Sequence, residues 1–178
     1  NFYFKLIEER SQGSVFTLNT FFFKKLAGSG YDEVKRWTAK VNIFAYERIL
    51  IPIHLPEHWC LAELDMQEKK IFYYDSLGGM NETCLIILLS WLINEHRVRK
   101  LPTPLIFSEW QLITPNSPRQ GNGTDCGVFT CVTAEYRSRN APLTFSQANM
   151  PYFRRRIAYE ILKKDILATE TNQSSKSK

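Results

Sequence analysis

The sequence predicts a single α+β domain with a sheet in the middle of the chain. Its 178 residues, 44% of them hydrophobic, suffice for one core but not comfortably for two. Strand-like runs are confined to the central part, and helical patterns occur on both sides of it. The longest apolar run, residues 84–89, is too short to cross a bilayer, and no secretory signal opens the chain. We therefore expect a soluble domain without a membrane partner.

Periodicity and turn signals predict the helices and strands along the chain. A helical pattern over 2–10 precedes a second helix, which Asn19 would cap and which would stop near Gly28, and a short third one over 31–37. The later elements are strand-like runs at 49–53, 59–64 and 71–74, an apolar helix at 80–95, a strand at 110–113, and helices at 126–136 and 151–167.

The two ends of the chain differ from its interior. The opening residues Asn1-Phe-Tyr-Phe-Lys5 look like the middle of an amphipathic helix, so we expect part of the natural protein, with any targeting segment, to precede them. The domain would extend over 1–168. We expect the polar tail 169–178 to be disordered.

Cysteine usage and charge narrow the function class. The chain shows no secretory context and Cys60 and Cys84 lie in apolar segments, so we expect reduced thiols and a reducing compartment. The four cysteines form no Cys-x-x-Cys pair, so we expect no metal site. The net charge of +5 is clustered, for example at Arg154-Arg-Arg156. Such clusters are solvated helix faces or indicate an acidic macromolecular partner. Because no nucleic-acid motif is visible, an acidic protein is the favoured partner and nucleic acid the less favoured one.

One cysteine has the setting of a nucleophile. Gln120-Gly-Asn-Gly-Thr-Asp-Cys126-Gly127 places it between a glycine-rich turn and the apolar run 128–132. Free N–H groups and the dipole at a helix start favour thiolate over thiol. A buried helix-start cysteine with a purely packing role is the alternative. Gln120, on the same loop, could donate its amide N–H₂ to an oxyanion.

A hairpin brings a histidine near a carboxylate. If the turn between 59–64 and 71–74 is centred between Met66 and Gln67, His58 faces Asp75 with Cβ atoms about 5 Å apart. A shift of the centre by one residue would leave the two as diagonal neighbours. Asp75 would then orient His58 as a general base, whereas separate structural roles for each are the alternative.

At this point the chain resembles the sentrin/SUMO-specific group of ubiquitin-like-protein proteases. The similarity runs from Asn1 to about residue 167. The matching blocks are Asn19-Thr-Phe-Phe-Phe23, Val34-Lys-Arg-Trp-Thr38, Ile51-Pro-Ile-His54, His58-Trp-Cys-Leu-Ala62, Tyr73-Tyr-Asp-Ser-Leu-Gly-Gly79, Asp125-Cys-Gly127 and Met150-Pro-Tyr-Phe-Arg154. The resemblance implies a papain-like cysteine peptidase fold, with a mostly antiparallel central sheet flanked by helices.

The resemblance also implies roles for particular residues. The catalytic set would be His58 as base, Asp75 as its partner, Cys126 as nucleophile and Gln120 as oxyanion donor. Trp59 would form one wall of a tunnel for a Gly-Gly C-terminus, and Phe21, Arg36 and His54 would contact a SUMO-like substrate. For Trp59 and Phe21 a core position is the alternative, and for Arg36 a solvated surface position.

The implied activity is that of a monomeric deSUMOylating peptidase without a cofactor, acting on SUMO and its conjugates. The resemblance places it in the nucleus, with the cytoplasm as a second location. Two features depart from the family: a Trp-Leu-x-Asp segment that usually precedes the first helix is absent, and Gly121 replaces a bulkier apolar residue. The alternatives are therefore a catalytically impaired SUMO-binding module and a viral-type protease assisted by nucleic acid.

Overall fold

The structure is a computed structural model, and it describes residues 1–168. The predicted disordered tail, 169–178, lies outside the described residues. The five helices are α1 (Phe2–Arg10), α2 (Phe22–Ser29), α3 (Glu82–Val98), α4 (Cys126–Ser138) and α5 (Met150–Lys163). The five strands are β1 (Val15–Thr17), β2 (Arg48–Leu55), β3 (His58–Asp65), β4 (Lys70–Tyr74) and β5 (Gln111–Ile113). Within these residues no helix is long and apolar enough to span a membrane.

The strands form one mixed sheet in the order β1-β2-β3-β4-β5. The central ladders, β2 with β3 and β3 with β4, are antiparallel, and the two short outer ladders are parallel. The predicted α+β class is confirmed. The antiparallel centre is built from consecutive hairpins, whereas each parallel edge strand joins its neighbour through a long connection that contains a helix.

Helices cover both faces of the sheet. Alternate residues of a strand point to opposite faces, so Ile51 and Ile53 of β2 pack in a core with α2 and α3, while Leu50 packs in a second core with α1 and α4. A third, smaller core joins α4 to α5 through Phe129 and Phe153. The helix that begins at Cys126 is therefore packed between the sheet and α5.

A buried ion cluster fixes α4 against β3. Glu63 of β3 is fully buried and accepts hydrogen bonds from Arg137 of α4 (Nε to Oε2, 2.7 Å), from Arg48 of β2 (Nε to Oε1, 3.2 Å) and from the hydroxyl of Tyr74 (2.8 Å). A buried carboxylate needs such partners, because an unpaired charge in the interior is strongly unfavourable. The C-terminal half of α4 is thus tied to the strand that begins at His58.

Two sequence-based expectations near the N-terminal end of the domain need correction. Asn19 does not cap α2 directly: its Oδ1 accepts from Phe21 N at 2.9 Å, and the helix begins at Phe22. The helix expected over 31–37 is reduced to a 3₁₀ turn, Tyr31–Glu33. Strand β1 was not anticipated, since three residues are too few to show an alternating pattern.

The turn of the central hairpin is centred one residue later than expected. Asp65 pairs with Lys70 and Leu64 with Ile71, so the centre lies between Gln67 and Glu68 rather than between Met66 and Gln67. The Asp65 side chain explains the shift, because its Oδ1 accepts from Glu68 N at 2.9 Å and closes an Asx turn.

Candidate active site

His58 and Asp75 lie at the same end of the central sheet. His58 begins β3, and Asp75 directly follows β4. In the observed register of the hairpin they are diagonal neighbours rather than directly opposite, which is the second arrangement expected from the sequence. Their side chains are in contact, with His58 Nε2 2.7 Å from Asp75 Oδ1. This contact leaves His58 Nδ1 as the ring nitrogen for a second partner.

The carboxylate of Asp75 is held by the loop that follows it. Oδ1 also accepts from Leu77 N at 2.8 Å, and Oδ2 accepts from Gly79 N at 3.2 Å. Gly78 has a φ of +87°, in the region that favours glycine, so the backbone can turn back over the carboxylate. Asp75 is 7% exposed, and these bonds fix its rotamer while it faces His58.

The absence of a side chain at Gly79 is required by this arrangement. A Cβ there would lie 2.6 Å from Asp75 Oδ2, closer than non-bonded carbon and oxygen approach. We expect Gly79→Ala to displace the carboxylate from His58 and to lower kcat by about 10–100-fold, since a misplaced catalytic group loses alignment. Steady-state kinetics would measure this. Gly28→Ala is the matched control, because a Cβ at Gly28 meets open space; equal activity of the two variants would contradict the assignment.

Cys126 is the first residue of α4 and is 7% exposed. Its position places the sulfur at a helix N-terminus, where unpaired backbone N–H groups and the helix dipole stabilise negative charge. The first α4 hydrogen bond, from Phe129 N to Asp125 O at 2.9 Å, begins immediately before it. This environment suits a thiolate nucleophile.

The other three cysteines have the opposite environment. All four thiols are free. Burial raises the pKa of Cys60 to about 12 and that of Cys131 to about 11, and it also raises the pKa of Cys84. These three groups remain neutral thiols near pH 7 and are poor nucleophiles.

The loop before Cys126 is fixed by a polar network around Asp125. Its carboxylate accepts from Gln147 Nε2 (2.7 Å), Asn122 Nδ2 (2.7 Å) and Arg154 Nε (2.9 Å). The hydrogen bonds from Gln147 and Asn122, followed by the bond from Arg154 and its charge, hold the pKa of Asp125 below its ordinary value. Sequence reasoning did not assign these three partners to the site. The Asn-Gly-Thr-Asp turn was a local signal for Asn122, whereas Gln147 and Arg154 come from a distant segment.

Gln120 is brought to this loop with its amide oriented. Ser76 Oγ donates to Gln120 Oε1 and Gln120 Nε2 donates to Asn122 O, both at 2.5 Å, while Gln120 N bonds Ser76 O at 2.9 Å. Ser76 directly follows Asp75, so the loop of the base and the loop of the nucleophile are connected. One amide hydrogen of Gln120 remains for another acceptor.

Trp59 lies beside the nucleophile and is only partly buried. A Cβ added at Gly127 would be 3.8 Å from Trp59 Cδ1, which places the indole next to the start of α4. His54, which pairs with Trp59 across the β2–β3 ladder, stacks on the Trp59 side chain with ring centroids 4.1 Å apart. A cavity of about 180 Å³, lined by Trp59, Gly127 and Pro52 among others, opens at this point.

The remaining predicted contact residues lie at the surface. Phe21 is 67% exposed and Arg36 is exposed, so a core position for Phe21 is wrong.

Within residues 1–168 the metal-ligand types that cluster are His58, Cys60 and Asp75, whose ligand atoms lie within 4.8 Å of one another. His58 and Asp75 are hydrogen-bonded to each other, and the Cys60 thiol is buried and neutral. These contacts explain why the three residues lie close together without a metal.

A cysteine at a helix N-terminus, a histidine oriented by a buried carboxylate and an oriented side-chain amide are the groups that thiol-dependent acyl-transfer enzymes use. The chain belongs to the Ulp1 protease family, C-terminal catalytic domain, which it matches over residues 1–166.

Individual relatives agree with this membership. The chain is 46% identical to a sentrin-specific protease of Caenorhabditis elegans over 95% of its length, and 42% identical to human sentrin-specific protease 2 over 94%. It spans only 25% and 29% of the lengths of these two proteins. It also resembles the crystal structure of the C-terminal Ulp1 protease domain in complex with Smt3, the yeast orthologue of SUMO. There the TM-score is 0.82 and the identity 34%, over 91% of this chain and 73% of that one.

Proposed function

We propose that this domain is a cysteine peptidase that releases SUMO from lysine side chains and trims SUMO precursors after their C-terminal Gly-Gly. The observation that carries the proposal is the His58–Asp75 pair, 2.7 Å apart, in a chain whose Cys126 begins a helix and which belongs to the Ulp1 protease family. The names of its relatives, sentrin-specific proteases, and the Ulp1 domain bound to Smt3 support SUMO as the substrate class.

The first half of the reaction forms a thioester. His58 Nδ1 takes the proton of the Cys126 thiol, and the sulfur attacks the carbonyl carbon of the terminal glycine of SUMO. The oxyanion accepts hydrogen bonds from the backbone N–H of Cys126 and from the free amide hydrogen of Gln120. The tetrahedral intermediate collapses, the C–N bond breaks, and His58 returns its proton to the departing lysine amine.

The second half of the reaction is hydrolysis. His58 takes a proton from water, whose oxygen attacks the thioester carbonyl and forms a second oxyanion in the same site. Collapse breaks the C–S bond, and His58 returns its proton to the Cys126 sulfur. SUMO leaves as a carboxylic acid that gives its proton to solvent. Asp75 orients the imidazole and stabilises the imidazolium throughout. The reaction requires no cofactor.

The preference for glycine follows from the position of Trp59. The indole lies against Gly127 beside the nucleophile, so a substrate residue passing this point has little lateral space. Phe21, Arg36 and His54 are the proposed contacts to the globular part of SUMO. The exposed phenyl ring of Phe21 supplies apolar area, and Arg36 supplies positive charge to an acidic surface.

A panel of ubiquitin-like proteins tests the proposal. Each is given a C-terminal electrophile that alkylates an active-site thiol, and covalent attachment is followed by mass spectrometry. We expect SUMO to attach to Cys126 and ubiquitin and NEDD8 to remain unattached, because recognition of the globular part selects the substrate. A DNA-dependent reaction would favour the nucleic-acid-assisted alternative. Tight binding of SUMO without an adduct would favour the impaired binding module and contradict the proposal.

We further propose that the domain acts in the nucleus, with the cytoplasm as a second location, and as a monomer. The free thiols suit a reducing compartment, which both locations are, and the placement otherwise rests on the resemblance seen in the sequence.

A further inference from the structure

The nucleophile loop, residues 120–126, is connected at its two ends by Gln147, which lies outside the loop. This residue begins the 3₁₀ turn Gln147–Asn149, directly before α5. Its Oε1 accepts from Gly121 N at 2.7 Å, and its Nε2 donates to Asp125 Oδ2 at 2.7 Å. One side chain therefore bridges the residue after Gln120 and the residue before Cys126.

The two ends depend on Gln147 to different degrees. Asp125 keeps two other donors, Asn122 and Arg154, if Gln147 is removed. Among the described residues, Gln147 is the hydrogen-bond partner of the Gly121 backbone N–H. Gly121 also lacks a side chain that could pack against a neighbour. Loss of Gln147 would thus release the Gly121 end of the loop and leave the Cys126 end in place.

Gly121 lies between the two residues that aim the oxyanion donor. Gln120 carries the amide, and its Nε2 donates to the carbonyl of Asn122. Gln120 N remains bonded to Ser76 O and the Asn122 side chain to Asp125, so displacement of Gly121 acts on the backbone between these two anchors. It changes the distance and angle from Gln120 Nε2 to the Asn122 carbonyl and so alters the orientation of the amide. The bond from Ser76 Oγ to Gln120 Oε1 holds only the opposite side of the amide.

From this connectivity we propose that Gln147 is a positioning residue for catalysis, acting through Gln120 on the oxyanion. The proposal rests on the proposed peptidase function. It assigns to the turn before α5 a role in the chemistry, although no atom of Gln147 touches the substrate. The expected signature is a loss of kcat, because an interaction with the oxyanion exists only in the transition state.

The first test is Gln147→Met, which keeps the length of the side chain and removes both hydrogen bonds. With a SUMO fusion as substrate, we expect kcat to fall by at least about tenfold and KM to change by less than about threefold. The control is Ser146→Ala, which removes the hydrogen bond from Ser146 Oγ to Asn149 Oδ1 (3.2 Å) at the start of the same 3₁₀ turn. It keeps the backbone bond from Ser146 N to Asn149 Oδ1 and does not touch the loop. An equal loss in Ser146→Ala would show that Gln147 only stabilises the turn, and would overturn the proposal.

A double-mutant cycle tests whether Gln147 acts through Gln120. In a Gln120→Ala background the oxyanion donor is already absent, so Gln147→Met should cost less than about threefold in kcat. Iodoacetamide alkylation of Cys126 should keep its rate and pH profile in Gln147→Met, because the nucleophile end remains anchored. If Gln147→Met lowered kcat in the Gln120→Ala background as much as in the wild-type chain, or shifted the pH profile of Cys126 alkylation, action through Gln120 would be overturned.

Amide hydrogen exchange gives a readout that needs no activity. We expect the Gly121 amide to exchange at least about fivefold faster in Gln147→Met than in the wild-type chain, and at the wild-type rate in Ser146→Ala. Unchanged protection would overturn the anchoring even if turnover fell. A wild-type chain that does not react with SUMO would refute the proposed function and the catalytic part of this inference. The exchange measurement would still decide whether Gln147 anchors the loop.

Discussion

Substitution of Cys126 by serine is expected to reduce SUMO cleavage by at least about 10⁴-fold while leaving the fold and SUMO affinity nearly unchanged. Serine is almost isosteric with cysteine, so the start of α4 keeps its packing. Its hydroxyl is a far weaker nucleophile near neutral pH, because an alcohol gives up its proton much less readily than a thiol and oxygen is intrinsically less nucleophilic than sulfur. The measurements are kcat/KM with a SUMO fusion, SUMO affinity by calorimetry and thermal unfolding.

The other thiols supply the control for this expectation. Cys131 lies on the same helix, and burial raises its pKa to about 11, so Cys131→Ser should retain activity close to wild type. Residual cleavage by Cys126→Ser within tenfold of wild type would exclude Cys126 as the nucleophile. Loss of activity in both variants, with unfolding, would instead indicate that α4 is sensitive to any change.

Substitution of His58 by alanine should also remove about 10⁴-fold of the activity, whereas Asp75→Asn should cost roughly 10–100-fold. The surroundings of Asp75 explain the difference. Leu77 N and His58 Nε2 both approach Oδ1, so an asparagine at this position would place its carbonyl oxygen there and keep the histidine tautomer. The amide nitrogen would then face Gly79 N, an unfavourable donor pair, and the negative charge would be lost.

The pH dependence of kcat/KM distinguishes these two variants. Asp75→Asn keeps the imidazole base in place, so its activity near neutral pH should remain far above that of His58→Ala. For His58→Ala the residual activity should rise with hydroxide concentration, because no base remains. Full activity of Asp75→Asn with an unchanged profile would mean that Asp75 has only a structural role.

The helices and central strands were predictable because their patterns are long. The apolar faces of α1 and α3 and the runs in β2 to β4 extend over several turns or alternations, and tertiary packing agrees with them. The proximity of His58 and Asp75 was also predictable, since a short hairpin leaves few registers. The exact register was not, because the side chain of Asp65 closes the turn one residue later than the hydrophobic pattern suggests.

The second layer of the site could not be predicted from the sequence. Gln147 and Arg154 contact Asp125 from more than twenty residues away. Gln147 lies in no pattern that distinguishes it from an ordinary polar surface residue, and the block and basic cluster that contain Arg154 do not indicate Asp125 as its partner. Such contacts are fixed only when α5 packs against α4, through apolar residues that carry no information about the polar partners. The resemblance to the SUMO proteases assigned the reacting groups, and the structure added the residues that hold them.

The dependence of the nucleophile loop on the last helix also has a consequence for biosynthesis. A chain emerging from the ribosome folds its N-terminal parts first, so the His58–Asp75 hairpin can form while the segment that supplies Gln147 and Arg154 is still inside the exit tunnel. Until α5 has emerged and docked, the loop that carries Cys126 lacks two of its anchors. The nucleophile loop therefore reaches its final form, and the proposed cleavage can begin, only after α5 has been translated and has docked.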